Sequence, residues 1–450
     1  MLNRKIDQIL IDWKNRKDRK PLVIKGLRQC GKTSSVRAFG EKYYDHVIYM
    51  NFLEDPGYAS IFSGSLKVED LVMYISAYLG AEAVFEEDNS LIIFDEIQHC
   101  PNARTSLKFF KLDGRYDVIA TGSLLGVSGY RDNELSIPVG FEDVVEMYPL
   151  DFEEFLWANG ISDDVISLLK ECYEQITPVP EAIHNRMKEL LLQYIVIGGL
   201  PEVVQRFIDT KQISQTYSLQ KNILNEYRDD MVKYSQGKDK TKIRECFDSI
   251  PKQLAKDNKK FQYSVIRKKG TAGMYEGSLK WVEDAGIIAR CFNLNIIELP
   301  LDGNAMEDVF KVYMSDIGLL TAMLEEGTQF DILQGNLYGY KGAIFENLVA
   351  DMMTKAGKKL YYYRKDSGLE IDFIIRYHGK ATLLEVKAVS GNAKSVKTIL
   401  NHPEKYHVNT AIKLGDYNVG KVGPMITLPA YMTFLLFEQD IVSVDKNNVL

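Results

Sequence analysis

The stretch that decides the fold lies near the start of this 450-residue chain, at residues 21–33, PLVIKGLRQCGKT. Residues 21–26 form a short apolar run that predicts a buried strand, and residues 34–44, SSVRAFGEKYY, predict a helix. The loop between them has the form G-x-x-x-x-G-K-[ST], whose glycines let backbone N–H groups curl around phosphate oxygens beside a helix N-terminus. This context predicts a site for nucleotide phosphates, and a chance glycine-rich turn is the alternative.

Two residues of this loop have expected chemical roles. Lys32 would reach the β- and γ-phosphates and take part in catalysis, and Thr33 would ligate the Mg²⁺ ion that accompanies the nucleotide. The positions expected to contact the nucleotide are Gly26, Arg28, Gln29, Cys30, Gly31, Lys32, Thr33 and Ser34.

A second motif supplies carboxylates. Residues 90–96, SLIIFDE, predict a buried strand that ends in Asp95 and Glu96. At the carboxyl edge of a sheet, Asp95 would hold Mg²⁺ and Glu96 would polarise the attacking water as a catalytic base. A strand that simply ends in solvent-facing acids is the alternative, but the upstream phosphate loop favours the catalytic interpretation.

A third strand, YDVIATGS at residues 116–123, ends in the hydroxyl residues Thr121 and Ser123. A polar side chain here, with Ser123 as the catalytic candidate, would sense the γ-phosphate. A hydroxyl that caps the strand end is an equally good explanation. The candidates for an arginine finger, among which the sequence does not choose, are Arg104, Arg115 and Arg131.

The composition is that of a globular protein, with 46% hydrophobic and 26% charged residues, and the length suggests about three domains. The net charge of −7 excludes a global nucleic-acid footprint. Five scattered cysteines without a C-x-x-C pair indicate a reducing, cytoplasmic setting and exclude a disulfide scaffold. The charged N-terminal stretch is unlike a secretory signal, and no run approaches the ~20 apolar residues of a membrane span, so no membrane partner is expected.

The pattern along the chain predicts an α/β protein of four parts. Strands alternate with helices over residues 1–150, which predicts a parallel sheet covered by helices. Residues 151–225 predict a helical lid, and residues 226–335 a winged-helix-like domain in which YEGSLKWVEDAGIIARCFNL (275–294) is a helix followed by a strand. Residues 336–450 return to strands.

The C-terminal part contains a predicted hairpin, LEIDFIIRYHGKATLLEVKA at residues 369–388. A two-residue turn at 378–379 would place Asp372 opposite Glu385 on one face of the sheet. The same register would pair Glu370 with Lys387. The opposite, core-facing side would carry Phe373, Ile375, Leu384 and Val386.

Two carboxylates that face each other repel, and a divalent metal ion is the natural compensation. Asp372 and Glu385 are therefore the candidate ligands of a second metal. Glu346, on a predicted apolar helix, would add a carboxylate, and Lys387 would orient water, which is the arrangement of a metal-dependent nuclease. The alternative is an exposed strand face on which Lys387 forms an ion pair with a carboxylate.

One segment departs from the acidic average of the chain. Residues 251–280 carry eight basic and two acidic residues with interleaved aromatic side chains. This pattern suits the phosphates of DNA or RNA beside a winged helix. A solvated helical face, or a surface that docks a protein partner, explains it slightly better.

The chain resembles a known family along most of its length. The resemblance rests on GLRQCGKTS, FDEIQ, ATGSLLG, YPLDFEEFLW, GGLPEVV, SIPKQLAKDNKKF, WVEDAGII, FKVYMSDIGLL, GAIFENLVA, YYYRKDSGLEIDFII and LLEVKA. These stretches are similar to those of bacterial and archaeal AAA-type P-loop ATPases with a C-terminal restriction-endonuclease-like domain of uncharacterised function. Relatives carry an Arg before the PL-x-x-F-x-E-F segment, whereas this chain has VGFEDVVEMYPL, so the resemblance supplies no arginine there.

The resemblance implies an ATP-binding module of the ASCE type, a helical lid, a winged-helix-like middle and a nuclease-like end of the PD-(D/E)xK fold. It implies ATP and Mg²⁺ as cofactors, and a homo-oligomer, since relatives often complete their sites in trans. It assigns Lys32, Thr33, Asp95 and Glu96 to nucleotide chemistry, and to the nuclease-like site Glu346, Asp372, Glu385 and Lys387.

Three functions remain open at the level of sequence. In the first, ATP hydrolysis drives conformational control of the nuclease-like domain. In the second, the chain is an ATP-gated, metal-dependent nuclease. In the third, it is a non-catalytic switch that binds DNA or a protein partner through its winged-helix-like and nuclease-like parts.

Overall fold

A computed structural model of the chain describes residues 2–123, 140–233, 239–256, 259–336, 340–387 and 393–437. The chain divides into two compact units. The first contains residues 1–149 together with 284–286, and the second contains residues 150–283 and 287–450.

The first unit is a parallel sheet flanked by helices, as the alternating pattern predicts. Its strands are β1 (Leu22–Gly26), β2 (His46–Asn51), β3 (Ser90–Asp95), β4 (Asp117–Gly122) and β5 (Asp143–Met147). Its helices are α1 (Lys5–Lys14), α2 (Lys32–Tyr43), α3 (Val68–Leu79) and α4 (Pro101–Asp113), with short 3₁₀ turns at Pro56–Phe62, Gly80–Glu82 and Ile97–His99.

The order of the strands is β2-β3-β4-β1-β5, and every pair is parallel. All six residues of β3 and of β4 are buried, because helices cover both faces of the sheet. β4 therefore separates β1 from β3. Residues at the end of β4 lie between the phosphate loop after β1 and the carboxylates after β3.

The second unit begins with helices. They are α5 (Phe152–Ala158), α6 (Asp163–Gln175), α7 (Glu181–Ile197), α8 (Pro201–Thr210), α9 (Ile213–Lys233), α10 (Asp239–Leu254), α11 (Tyr263–Ile266) and α12 (Ala272–Asp284). Most bury one apolar stripe. In α8, for example, Val203, Val204 and Phe207 are buried while the intervening polar positions face outward.

Strands and helices then alternate to the C-terminus. The strands are β6 (Ile288–Leu294), β7 (Ala305–Met314), β8 (Leu360–Arg364), β9 (Glu370–Ile371), β10 (Phe373–Tyr377), β11 (Lys380–Lys387), β12 (Ala411–Gly415), β13 (Gly420–Val422) and β14 (Met425–Pro429). The helices are α13 (Ile317–Met323), α14 (Thr328–Leu333), α15 (Lys341–Lys355), α16 (Lys394–Leu400) and α17 (Pro403–Tyr406), followed by 3₁₀ turns at Ala430–Leu436.

These strands form two sheets, with orders β7-β6-β8-β9 and β10-β11-β12-β14-β13. β6 pairs in parallel with β8, so that Cys291 lies beside Leu360. A single sheet therefore crosses the boundary that the sequence places between residues 335 and 336. The local sequence pattern that predicts this boundary contains no information about which distant strands pair.

The hairpin of β10 and β11 has the predicted register, with Phe373 opposite Leu384. His378 and Gly379 form the turn with φ of 47° and 75°. The predicted pairing of Glu370 with Lys387 is wrong. The chain bends at Asp372, and β9 leaves to pair with β8, which places Glu370 opposite Arg364.

The predicted core face of this hairpin is buried, but the other face is buried as well. Ile374 and Leu383 have no exposed surface and belong to a core cluster beneath α16. The carboxylates of this face therefore lie among packed side chains, and they are not on an exposed strand surface.

The turn between α7 and α8 is the most closely packed glycine pair of the second unit. The N–H of Gly199 donates to the Asp316 carboxylate at 2.7 Å. A Cβ at Gly199 would lie 2.0 Å from the carbonyl oxygen of Leu150, and one at Gly198 would lie 2.2 Å from Asp316. Glycine is needed here because the backbones of three segments meet.

Asp316 belongs to a buried ion cluster. The ammonium of Lys355 lies 2.9 Å from Asp351 and 3.4 Å from Asp316, and 2.9 Å from the hydroxyl of Tyr194. Burial raises the pKa of Asp351 to about 7, against the opposing effect of Lys355. The cluster joins α7, α13 and α15 at one point.

Gly199→Ala is expected to destabilise the second unit by about 2–4 kcal/mol, because the new methyl group would push Leu150 aside and disturb the buried Asp316. Gly277→Ala is the matched control, since a Cβ at Gly277, exposed on α12, meets nothing within 4 Å. This control should raise the free energy of unfolding by about 0.5–1 kcal/mol. Urea unfolding followed by tryptophan fluorescence measures both, and equal effects would contradict the packing argument.

Candidate functional site

The phosphate loop connects β1 to α2 through left-handed backbone. Gly26, Gln29 and Gly31 have φ of 152°, 64° and 97°. A Cβ at Gly26 would lie 2.0 Å from the carbonyl oxygen of Met147 on β5, so only glycine fits. Gly31 is the N-cap of α2, and the loop therefore leads into a helix N-terminus whose free N–H groups suit phosphate.

Lys32 is buried and lies within the loop itself. Its ammonium donates to the carbonyls of Gly26 and Leu27 at 3.0 and 2.9 Å. Its charge is thus held against the backbone of the loop.

The other predicted loop positions differ in exposure. The buried thiol of Cys30 donates to the carbonyl of Met147 at 3.3 Å, which makes this side chain part of the packing under the loop. Arg28 and Gln29 are partly exposed, and Ser34 is exposed in the first turn of α2.

Asp95 is the centre of a hydrogen-bond network at the carboxyl edge of the sheet. Its carboxylate accepts from Thr33 at 2.9 Å, from Tyr49 at 2.7 Å and from Asn51 at 3.2 Å. Thr121 of β4 is a further donor. The structure thus joins Thr33 with Asp95, as predicted, and the hydroxyl that reaches Asp95 from β4 belongs to Thr121.

Tyr49 and Asn51 were not predicted as site residues. They occupy alternate positions on β2, which places both side chains on the same face of the sheet at its carboxyl edge. Burial, together with the hydrogen bond to Asp95, raises the pKa of Tyr49, so its hydroxyl remains a donor. The sequence feature that could have predicted them is the pair of polar residues at the end of the apolar run HVIYMN.

Glu96 and Ser123 lie at the ends of β3 and β4. Glu96 adopts φ of 52°, and its N–H donates to Asp95 at 3.1 Å. The side chain of Gln98 donates to the Glu96 carboxylate, which fixes its orientation. Ser123 is buried one residue beyond β4.

The arginine candidates that the structure describes are paired with acids. Arg104 lies 2.7 Å from Glu142, and Arg115 lies 2.6 Å from Asp113. Arg131 falls at 124–139, outside the described residues. Arg104 and Arg115 are thus both engaged in ion pairs.

The second predicted site comes together in the second unit. Glu346 projects from α15, Asp372 lies at the bend before β10, and Glu385 and Lys387 lie on β11. Burial and the nearby charges of Glu346 and Glu385 raise the pKa of Asp372 well above its usual range. The predicted carboxylates therefore act on one another electrostatically.

Hydrogen bonds occupy part of this cluster. Asp372 accepts from the N–H of Val386 at 2.8 Å, and Lys387 lies 2.5 Å from one oxygen of Glu385. The other Glu385 oxygen, Oε2, is buried with no hydrogen-bond partner. A buried carboxylate oxygen without a partner fits a cation, and Asp372, on which the charge of Glu385 acts, offers a second hard oxygen donor.

Two lysines that sequence reasoning did not assign to this site complete it. Lys259 contacts the carboxylate of Glu346. Lys311, on β7, lies 2.8 Å from Glu370 and 3.7 Å from Glu346. The sequence signal for Lys311 is a lysine inside the apolar run VFKVYM, and Lys259 lies in the basic segment 251–280.

Among the described residues, no group of three or more His, Cys, Asp and Glu side chains is arranged to hold a metal ion. The region instead contains as many cations as carboxylates. The carboxylates are Glu346, Glu370, Asp372 and Glu385. The cations are Lys259, Lys311, Arg364 and Lys387.

The basic segment is only partly a surface. Arg267, Lys268 and Lys269 are consecutive and exposed in the turn before α12. Lys256 donates to the Gln262 side chain at 2.8 Å, and Lys280 pairs with Glu283. Fewer basic side chains are thus available at the surface than the count of eight implies. The acidic residue at position 257 lies outside the described residues.

No helix in the described parts of the chain is both long and apolar enough to cross a membrane.

Comparisons with family models match three parts of the chain. Residues 18–156 match an AAA domain. Residues 188–329 and 341–431 match two domains of unknown function, DUF8612 and DUF4143. The first unit therefore contains an AAA-type P-loop domain, a class that binds ATP, and a comparison with curated proteins finds no match.

Solved structures resemble the chain at low identity. A Walker-type ATPase of Pyrococcus abyssi is 15% identical, with a TM-score of 0.43, and the match covers 72% of this chain and 96% of that one. The ORC2 protein of Aeropyrum pernix is 13% identical, with a TM-score of 0.35 and coverage of 74% and 93%. DnaA of Aquifex aeolicus is 13% identical, with a TM-score of 0.26 and coverage of 63% and 88%.

Proposed function

We propose that the protein is a Mg²⁺-dependent ATPase whose hydrolysis cycle controls the conformation of a nuclease-like C-terminal region. The observation that carries this proposal is the network around Asp95, in which the P-loop Thr33 and the β4 residue Thr121 meet one carboxylate. Lys32, held inside the same loop, adds the positive charge that β- and γ-phosphates require.

The residues divide the chemistry between them. The loop amides and Lys32 bind and orient the phosphates. Thr33 and Asp95 offer the hard oxygen donors that suit Mg²⁺, an ion that neutralises phosphate charge when bound. Glu96, oriented by Gln98, accepts a proton from the attacking water, and Thr121 or Ser123 senses the γ-phosphate.

Glu96→Gln is expected to lower ATP turnover at least ~100-fold while nucleotide binding persists, because the general base is lost. Lys32→Ala should weaken both turnover and binding. Glu54→Gln, an exposed glutamate of the same unit, is the control and should leave both unchanged. Phosphate release and binding of a fluorescent ATP analogue measure the two quantities. Unchanged turnover in Glu96→Gln, or no nucleotide binding by the wild type, would contradict the proposal.

The nuclease-like assignment is supported by the order of elements in the C-terminal region. Helix α15 is followed by β8, by the bent β9–β10 pair and by β11, and then by α16 and β12, which pairs in parallel with β11. Asp372 and Glu385 would hold the divalent metal of this site, as the orphaned Glu385 oxygen suggests. Lys387 would position water or a phosphate beside it.

If this site cuts nucleic acid, Asp372→Ala and Glu385→Gln should each lower Mn²⁺-dependent cleavage of DNA or RNA by roughly 10²-fold or more, since each removes a ligand. Asp366→Ala, in the exposed turn before β9, is the control. Gel assays with and without ATP measure cleavage. Cleavage that persists in both ligand variants would place the activity elsewhere.

A second candidate function is DNA binding by the region of α10, α11, α12 and the β6–β7 pair. Three helices followed by two antiparallel strands support the winged-helix-like interpretation. The specific observation in its favour is the exposed run Arg267, Lys268 and Lys269 directly before α12. A docking surface for an acidic protein is the competing use of the same charge.

The double variant Lys268→Gln/Lys269→Gln is expected to weaken binding of duplex DNA by about tenfold and to reduce the salt dependence of the binding constant by about two released ions. Lys17→Gln/Lys42→Gln removes the same charge from exposed sites in the first unit and serves as the control. Fluorescence anisotropy over a range of salt concentrations measures this. A DNA-binding constant that does not change with salt concentration would favour the protein-docking alternative.

A further inference from the structure

Lys259 makes a contact that its position in the sequence does not suggest. It lies between α10 and α11, in the segment whose charges seemed to belong to the surface, yet only 15% of its side chain is exposed. Its ammonium contacts one oxygen of Glu346, while the other oxygen accepts from the Tyr313 hydroxyl at 3.2 Å. Glu346 is therefore engaged on both oxygens.

Lys311 does not duplicate this contact. Its ammonium lies 2.8 Å from Glu370 but 3.7 Å from Glu346. Lys259 is thus the nearer cation and the one in direct contact with Glu346. Burial works against ionisation of Glu346, but Lys311 and Lys259 together lower its pKa and keep it an anion.

The backbone around Lys259 is fixed close by. The N–H of Phe261 donates to the carbonyl of Phe310 on β7 at 2.8 Å, and the two rings stack with centroids 5.5 Å apart. Phe261 anchors the segment, while the flexible lysine stem spans the remaining distance to α15. A lysine suits a reversible contact, because it is a single mobile charge without the forked geometry of arginine.

We propose that Lys259 is an internal cation that locks the C-terminal site. Its ammonium pairs with Glu346, whose charge acts on Asp372, one of the two residues that would hold a divalent metal ion. Tight metal binding then requires Lys259 to withdraw. This inference rests on the proposed metal site, and it concerns the regulation of that site.

Charge explains why the lock is effective. The cluster already contains four cations, and Asp372, whose pKa is raised, adds little negative charge, so a divalent ion would add uncompensated positive charge to a buried region. Removal of the Lys259 charge lowers this excess and frees one oxygen of Glu346. The same cluster then attracts a divalent cation.

The test is Mn²⁺ binding by the full-length chain without nucleotide, measured as free Mn²⁺ by electron paramagnetic resonance. Lys259→Gln is compared with wild type, and each is repeated with Asp372→Ala so that binding at the P-loop is subtracted. Lys256→Gln is the matched control, because Lys256 lies in the same segment but bonds to Gln262. Lys259→Met is a second neutral variant in case the amide disturbs folding.

We expect Asp372-dependent Mn²⁺ binding at least about tenfold tighter in Lys259→Gln than in wild type, with Lys256→Gln unchanged. Glu346→Gln should abolish the gain in the Lys259→Gln background. Added Mn²⁺ should raise the melting temperature of Lys259→Gln more than that of wild type, because a ligand stabilises the state that binds it.

Two outcomes would overturn the inference, and they differ. Equal Asp372-dependent affinity in wild type and Lys259→Gln would remove the lock and leave the metal site standing. No Asp372-dependent binding in any variant would overturn the lock and the proposed metal site together.

Discussion

The need to compensate buried carboxylates shapes both units of this protein. An ionised carboxylate loses its hydration on burial, so it persists only with hydrogen-bond donors or cations around it. Asp95 is satisfied by neutral donors, the hydroxyls of Thr33, Tyr49 and Thr121 and the amide of Asn51, which leave its negative charge intact. In the C-terminal cluster, three lysines and Arg364 pair with Glu346, Glu370 and Glu385 and offset their charge. The first solution leaves Asp95 attractive to a cation, whereas the second already contains its cations.

The sequence predicts the phosphate loop and Asp95 from local features. The loop follows one apolar run, Asp95 ends another, and parallel strands bring such ends to one edge. Tyr49 and Asn51 were not predicted because their contact with Asp95 depends on β2 lying beside β3. The order of strands in a sheet cannot be predicted from the local sequence of each strand. The neighbouring position of β4 gives Thr121 its contact with Asp95 for the same reason.

The C-terminal site shows where such reasoning fails. The turn at His378 and Gly379 fixes the register of the hairpin, so the pairing from Phe373 and Leu384 to the turn followed from counting residues. The strand pairing ends at Phe373 and Leu384, and the bend at Asp372 sends Glu370 to another strand. Lys259 and Lys311 come from segments remote in sequence, and nothing in their neighbours predicts that both point into a carboxylate cluster.

The pairing of β6 with β8 has a practical consequence for dissecting the molecule. A fragment cut at residue 336 would keep β8 but lose β6 and β7, leaving one edge of that strand with unpaired backbone groups and exposed aromatic side chains. Such an edge recruits other chains, so the fragment would tend to aggregate, whatever its own chemistry. The smallest piece that keeps this sheet intact begins before β6, at Ile288.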